Sequence, residues 1–151
     1  MKFTNSLIKG KLLKRYKRFF ADIKVNNKII TAHCPNTGSM QGLLDQGNEV
    51  LVTEHNDPKR KLKFTLEIIK ANKRYVGVNT HRANKIVNHG LENKLISEFK
   101  TIKNIKPEFK FSDDTRFDFL CDNNLIEVKN VTLFRENDIA EFPDAVTSRG
   151  T

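Results

Sequence analysis

Hydrophobic and polar positions follow two different periods along the first third of this chain. In residues 7–20, LIKGKLLKRYKRFF, the side chains of Ile8, Leu12, Tyr16 and Phe20 fall four apart. That is the spacing of one helical face. Read alone, the stretch is a basic amphipathic helix able to lie on a membrane surface. From Phe19 onward the period is two: Phe19, Ala21, Ile23 and Val25 alternate with Phe20, Asp22, Lys24 and Asn26, which is strand spacing. Asn26-Asn27 reads as a hairpin turn into a second strand through Ile29, Ile30 and Thr31. Residues 35–39, PNTGS, are loop chemistry. Val50–Thr53, Lys63–Ile69 and Arg74–Val78 read as further short strands.

The texture changes near residue 79. Asn79 or Thr80 can cap a helix over Arg82–Leu91, and Leu95–Phe99 predicts a second helical turn or two. Lys100–Lys110 is a Lys-rich connector interrupted by Pro107. Two strands follow, Arg116–Cys121 and Leu125–Val131, with Asn123-Asn124 as a two-residue turn. The expectation is an α+β chain of two domains: residues 1–80 as a basic β-barrel, for which the oligonucleotide-binding (OB) barrel is a candidate, and residues 81–151 as an α/β domain. The strand pattern outweighs the membrane-surface reading of residues 7–20.

Composition sharpens this picture. The chain has 151 residues and a net charge of +9. Residues 1–75 carry 16 Lys/Arg against 6 Asp/Glu, and residues 76–151 carry 11 against 12. An excess confined to one half points to a local basic surface, and nucleic acid is the commonest partner for one, because Lys and Arg release counterions from phosphates. A lysine-rich proteome is the bland alternative. The N-terminus lacks an apolar signal-peptide core, and no stretch is long and apolar enough to span a membrane. Two distant cysteines, Cys34 and Cys121, cannot form a disulfide framework, so a reducing cytoplasmic compartment is expected.

The sharpest chemical signal is RFDFLCDNNLIEVKN, residues 116–130. With Asn123-Asn124 as the turn, Asp118 lies opposite Lys129 and Leu120 opposite Glu127. Alternation then puts Asp118, Glu127 and Lys129 on one face. Two carboxylates can hold Mg²⁺ or Mn²⁺ with waters completing the shell. A bound cation polarises a phosphoryl oxygen and lowers the pKa of a water, and a neighbouring lysine can stabilise developing negative charge. The competing reading is an exposed hairpin with a cross-strand ion pair, worth a fraction of a kcal/mol. Against it, Phe117, Phe119 and Cys121 alternate with the charged face, as do Ile126 and Val128, so one side can pack while the other carries charge.

The pattern resembles the PD-(D/E)xK nuclease superfamily, with Asp118 as first acid, Glu127-x-Lys129 as the (D/E)xK element, and Phe117 where the name-giving proline would stand. The wider chain resembles the sugar fermentation stimulation protein A family. The stretches that carry this likeness are RYKRFFADI (15–23), HCPNTGSMQGLL (33–44), NDPKRKLKFT (56–65), VGVNTH with Asn84 (76–84), RFDFL (116–120), IEVKNVTL (126–133) and FPDAVTSRG (142–150). The resemblance implies an N-terminal OB-like barrel, a nuclease-like α/β domain, DNA binding and a link to regulation of sugar-utilisation genes. It also implies that the family continues past FPDAVTSRG into a helix and further strands, so residues 81–151 are expected to be the N-terminal part of that domain.

Other residues divide between chemistry and structure. Lys14, Arg15, Lys17 and Arg18, with Lys59, Arg60 and Lys61, form two basic clusters. Aromatics lie among them, and aromatic–base stacking is how barrels hold single strands. Phe19 and Phe64 are expected in the core, and Tyr16 is open. His33 and Cys34 are expected to be structural, since no partner pair has zinc spacing. The loop around Gly38 is either an anion-cradling nest or a tight turn needing Gly at positive φ. Asn84 is a candidate to touch the acid site. Glu92 and Glu98 are weak candidates for an extra metal contact, and Asp144 is either another acid or a helix cap. Two function classes follow: a largely non-specific DNA-binding protein with a nuclease-like metal site, or a Mg²⁺-dependent nuclease acting on DNA or RNA.

Overall fold

The computed structural model describes residues 2–134 and 140–141. The chain divides into two compact units, one of residues 81–129 and one of residues 2–80 together with the segment from Asn130.

The first unit is built on strands β1 (Leu7–Tyr16), β2 (Phe20–Val25), β3 (Lys28–His33), β4 (Glu49–Glu54), β5 (Phe64–Ala71) and β6 (Arg74–Gly77). They run in the order β3-β2-β1-β4-β5-β6, and a parallel pairing of β3 with β5 closes the first five into an OB-like barrel, β6 extending β5 as a hairpin. Residues 7–16 are therefore a strand and not an amphipathic helix. Positions four apart are also even positions of a period-two pattern, so Ile8 and Leu12 suit either structure. Pairing with β2 and β4 decides the matter, since β1 bonds β4 through Leu7–Lys11 and β2 through Lys11–Tyr16.

Two local features shape β1. A Cβ at Gly10 would come within 2.5 Å of Ile23 Cγ2 and 3.0 Å of the Lys24 carbonyl oxygen, so only glycine lets β2 approach here. The register then slips between Leu12 and Lys14, leaving Leu13 as the extra residue of a bulge. A bulge reverses the facing of everything beyond it. Leu12 is fully buried, whereas Lys14 and Tyr16 pair with Asp22 and Phe20 on the outer surface. The barrel is filled by inward residues of every strand, among them Leu12, Ile23, Ala32, Val52, Leu66 and Ile69. Phe64 packs against this core as expected, but Phe19 is 42% exposed and lies outside it.

Residues 81–129 form helix α1 (Ala83–Glu92) and a sheet of order β7 (Ile105–Lys110), β8 (Arg116–Cys121), β9 (Asn124–Ile126). Neither expected cap serves α1, which has no side-chain cap bond. Thr80 donates its hydroxyl to the Pro35 carbonyl, and the Asn79 amide is turned to Glu67. The second helical turn is a 3₁₀ turn at Ser97–Phe99. The supposed connector contains strand β7. Pro107 is compatible with it because, among the described residues, β7 is an edge strand bonded to β8 on one side. Leu91, Phe119 and Cys121 make a small buried centre flanked by Val87, Ile96, Ile105 and Ile126. The short strands β10 (Leu133–Phe134) and β11 (Ala140–Glu141) pair with each other.

The β8–β9 hairpin corrects the expected register. Cys121 pairs with Asn124 and Leu120 with Leu125, so Asp122-Asn123 is the turn and β9 ends at Ile126. The reason lies in Asp122, which adopts φ 48° and accepts bonds from the Lys103 and Asn104 N–H groups at 3.2 and 3.0 Å. Those bonds hold Asp122 at the corner. The turn moves by one residue and the pairing by two, which leaves the facing of each residue unchanged. Asp118 does not stand opposite Lys129.

Candidate functional site

Asp118 is half-buried on β8, and both carboxylate oxygens are engaged. Oδ1 accepts the Asn84 amide at 2.6 Å from helix α1, and Oδ2 accepts the Val128 N–H at 2.7 Å. The second bond is made possible by the early end of β9: beyond Ile126 the backbone leaves the ladder and its N–H can dock on the acid. Glu127 and Lys129 thereby flank the residue that holds Asp118. They are exposed and paired with each other, Lys129 Nζ to Glu127 Oε1 at 2.7 Å, in place of the expected Asp118–Lys129 pair. Exposed pairs of this kind contribute at most about 1 kcal/mol. Asn84 touches the site.

Each carboxylate oxygen retains a second lone pair, so Asp118 and Glu127 remain able to ligate a cation. Among the described residues no group of three or more His, Cys, Asp or Glu could hold a metal. Glu92 and Glu98 are each engaged by a neighbour on their own segment. Glu92 accepts from Asn88, and Glu98 from Ser97, whose hydroxyl holds that carboxyl below its ordinary value. Asp144 lies outside the described residues.

The basic clusters resolve into anchoring and exposed members. Arg15 donates to the Arg18 carbonyl at 3.1 and 2.8 Å and to the Asn36 carbonyl at 2.7 Å. Arg60 donates to the Thr65 hydroxyl at 2.9 Å and the Leu62 carbonyl at 3.3 Å. Both arginines hold loops. Lys14 lies 5.2 Å from the Tyr16 ring centroid and 3.6 Å from Asp22 Oδ2. Lys17 and Arg18 form the β1–β2 turn at φ 46° and 63°, and Lys59 and Lys61 are exposed in the loop before β5. His33, at the end of β3, is the Cα partner of both Phe20 and Thr65. The β1–β2 turn and the β4–β5 loop are distant in the chain, but this shared pairing makes them flank one end of the barrel.

The remaining candidates are structural. Cys34 is buried with its Sγ 3.7 Å from the Met40 sulfur, and burial pushes its thiol up. His33 is half-buried and stacks on Phe19. Gly38 donates its N–H to the Asn36 side chain at 2.8 Å, so the loop spends that amide on its own turn, and the glycines at positive φ among the described residues are Gly42 and Gly47. One buried polar cluster lies outside the expected set. Glu67 accepts from the Thr53 hydroxyl at 2.8 Å and the Asn79 amide at 2.9 Å. A lone carboxylate inside the apolar run FTLEII was its sequence signal.

An OB-like barrel followed by an α/β region defines the class of this chain. A family model described as "SfsA N-terminal OB domain" matches residues 13–78, and one described as "Sugar fermentation stimulation protein RE domain" matches residues 81–151. The chain belongs to the SfsA family of sugar fermentation stimulation proteins. It is 64% identical to the sugar fermentation stimulation protein homolog of Pelagibacter ubique, covering 100% of this chain and 67% of that protein. It is 46% identical to the homolog of Alteromonas mediterranea, covering 99% and 68%. The structure of Pyrococcus furiosus SfsA in complex with Ca²⁺ matches with a TM-score of 0.80 at 23% identity, over 99% of this chain and 64% of that one. The chain spans about two thirds of the length of the relatives it matches. No helix among the described residues is long and apolar enough to cross a membrane.

Proposed function

We propose that this chain binds DNA with little sequence preference through the basic end of its barrel and carries a nuclease-like metal site at Asp118, Glu127 and Lys129. The observation that carries the binding reading is the parallel β3–β5 closure, which gathers Lys17 and Arg18 with Lys59 and Lys61 at one end. Side chains of this kind contact phosphates and orient a nucleic acid without reading its bases. Both cysteines are free and buried, in keeping with a reducing, cytoplasmic setting. The test is binding of labelled DNA across a salt series. Charge reversal at Lys59 and Lys61, with Arg60 left to hold Thr65, is expected to reduce the log–log salt slope by roughly one unit for each phosphate no longer neutralised. An unchanged slope removes this loop from the interface.

A second reading, a Mg²⁺-dependent nuclease acting on DNA or RNA, is favoured by the fixed orientation of Asp118. Asp118 and Glu127 are the residues that would hold Mg²⁺ or Mn²⁺, and two carboxylates with waters suit such ions. The Pyrococcus furiosus relative was solved with Ca²⁺, another hard cation with oxygen ligands. When bound, the ion would supply Lewis-acid polarisation of a phosphoryl oxygen. Asn84 and the Val128 N–H keep Asp118 aimed, and Lys129 offers its ammonium to the phosphate. Incubating single- and double-stranded DNA and RNA with the protein, in Mg²⁺ or in EDTA, separates the readings. Metal-dependent cleavage that Lys129→Met abolishes supports the enzyme; no cleavage of any substrate leaves a binding protein.

A further inference from the structure

The hairpin between β1 and β2 carries an aromatic surface that the barrel core does not use. Tyr16 and Phe20 are stacked with centroids 5.5 Å apart and planes at 17°. Phe19 and His33 are stacked at 6.3 Å and 25°. Phe19 is 42% exposed although it is a large apolar residue in a chain with an ample core. Its position is held from both sides: its carbonyl accepts the Cys34 N–H at 2.8 Å, and Arg15 clasps the neighbouring Arg18 carbonyl. The turn that presents it is made by Lys17 and Arg18 at positive φ, where Asn or Gly would be at ease. The Leu13 bulge turns Lys14 and Tyr16 outward to join this surface.

We infer that this surface binds single-stranded DNA by stacking bases on Phe19 and its aromatic neighbours, in preference to duplex. The inference rests on the DNA-binding reading and adds the form of the ligand. Phosphate contacts from Lys17, Arg18, Lys59 and Lys61 serve either form equally. An exposed, rigid ring gains only when a base is unpaired and can lie against it, because bases in a duplex are already stacked on one another. The pre-set geometry of Phe19 keeps the ordering cost of binding low. Asp22, the acid on this face, is already occupied by the hydroxyls of Tyr16 and Thr31 at 3.2 and 2.9 Å and by Lys14, so it does not stand as an uncompensated charge against the strand.

The test is fluorescence anisotropy of the full chain with a thymine oligonucleotide, a uracil oligoribonucleotide and a mixed-sequence duplex. Wild type is expected to bind the thymine strand more tightly than the duplex. Phe19→Ala should weaken that binding by roughly 5-fold to 100-fold, leave duplex affinity and the salt slope unchanged, and be rescued by Phe19→Tyr. Unchanged thermal melting of Phe19→Ala shows that the loss is not one of folding. Equal loss on strand and duplex, no loss on the thymine strand, or loss confined to the uracil strand overturns the inference. Failure of wild type to bind any of the three would instead sink the DNA-binding reading itself.

Discussion

The two units hold their candidate residues by opposite means. In the barrel, thirteen buried hydrophobic residues form one cluster, and closure by β3 and β5 leaves the five strands with bonded neighbours. Its cations stand on turns and loops anchored by Arg15 and Arg60. The unit of residues 81–129 buries Leu91 of the helix with Phe119 and Cys121 of a sheet that has three strands among the described residues. There the key acid sits on the central strand, gripped by one side chain and one backbone N–H. A closed barrel can spend surface residues on binding because its stability lies inside. A thin sheet ties its site to its packing, so loss of either disturbs both.

The largest effect should come from striking the thin core. Phe119→Ala removes a 2%-exposed ring and is expected to cost about 3–5 kcal/mol. Limited proteolysis should then cut within residues 81–129 while the barrel survives. Leu66→Ala, in the barrel, carries a similar cost of about 2–5 kcal/mol but should leave a folded barrel, because its cluster is larger. A single shared unfolding transition for the Phe119 variant would break the contrast.

A smaller effect concerns the metal. Mg²⁺ or Mn²⁺ at a hundredfold over its Kd should stabilise the wild type by about 2.7 kcal/mol if it binds only the folded state. Asp118→Asn should abolish that rise in Tm while keeping an oxygen for the Val128 N–H, so the unit stays folded. Calorimetry of both proteins with and without metal reads the difference, and equal shifts would mean that Asp118 is not a ligand.

The smallest effect is electrostatic. The Asn104 and Lys103 N–H groups hold the Asp122 carboxyl below its ordinary value of 3.8. A carboxyl depressed on folding contributes stability above its unfolded pKa and loses it as pH falls through the folded value. Asp122→Asn should therefore lower the Tm of residues 81–129 slightly near neutrality, where the ionised carboxylate contributes, and converge with the wild type in acid, which flattens the acid limb of the Tm–pH profile. An acid limb as steep as the wild type's would show that the corner at Asp122 is held by its turn conformation and not by its charge.

Much of this was legible in residue order. Alternation from Phe19 onward marked the barrel strands, the charge imbalance marked the barrel as the basic half, and the same alternation placed Asp118 on strand β8 between inward Phe117 and Phe119 neighbours. These signals are local, since facing follows from period and charge from composition. Residues 7–16 were ambiguous because a spacing of four satisfies helix and strand alike, and β7 was hidden because Pro107 reads as a breaker unless the strand lies at an edge.

What only the tertiary structure decided depends on bonds between distant residues. The Leu13 bulge, which turns Tyr16 outward, is set by how β1 meets β2. The corner at Asp122 is set by backbone donors eighteen and nineteen residues away, and it is this corner that lets the Val128 N–H hold Asp118. The placement of Lys17 and Arg18 at the same barrel end as Lys59 and Lys61 follows from His33 pairing with both Phe20 and Thr65. Sequence determined which faces are apolar and which residues carry charge; register, bulge and closure determined which of those residues meet, because each is chosen by the summed hydrogen bonding and packing of segments that are strangers in the chain.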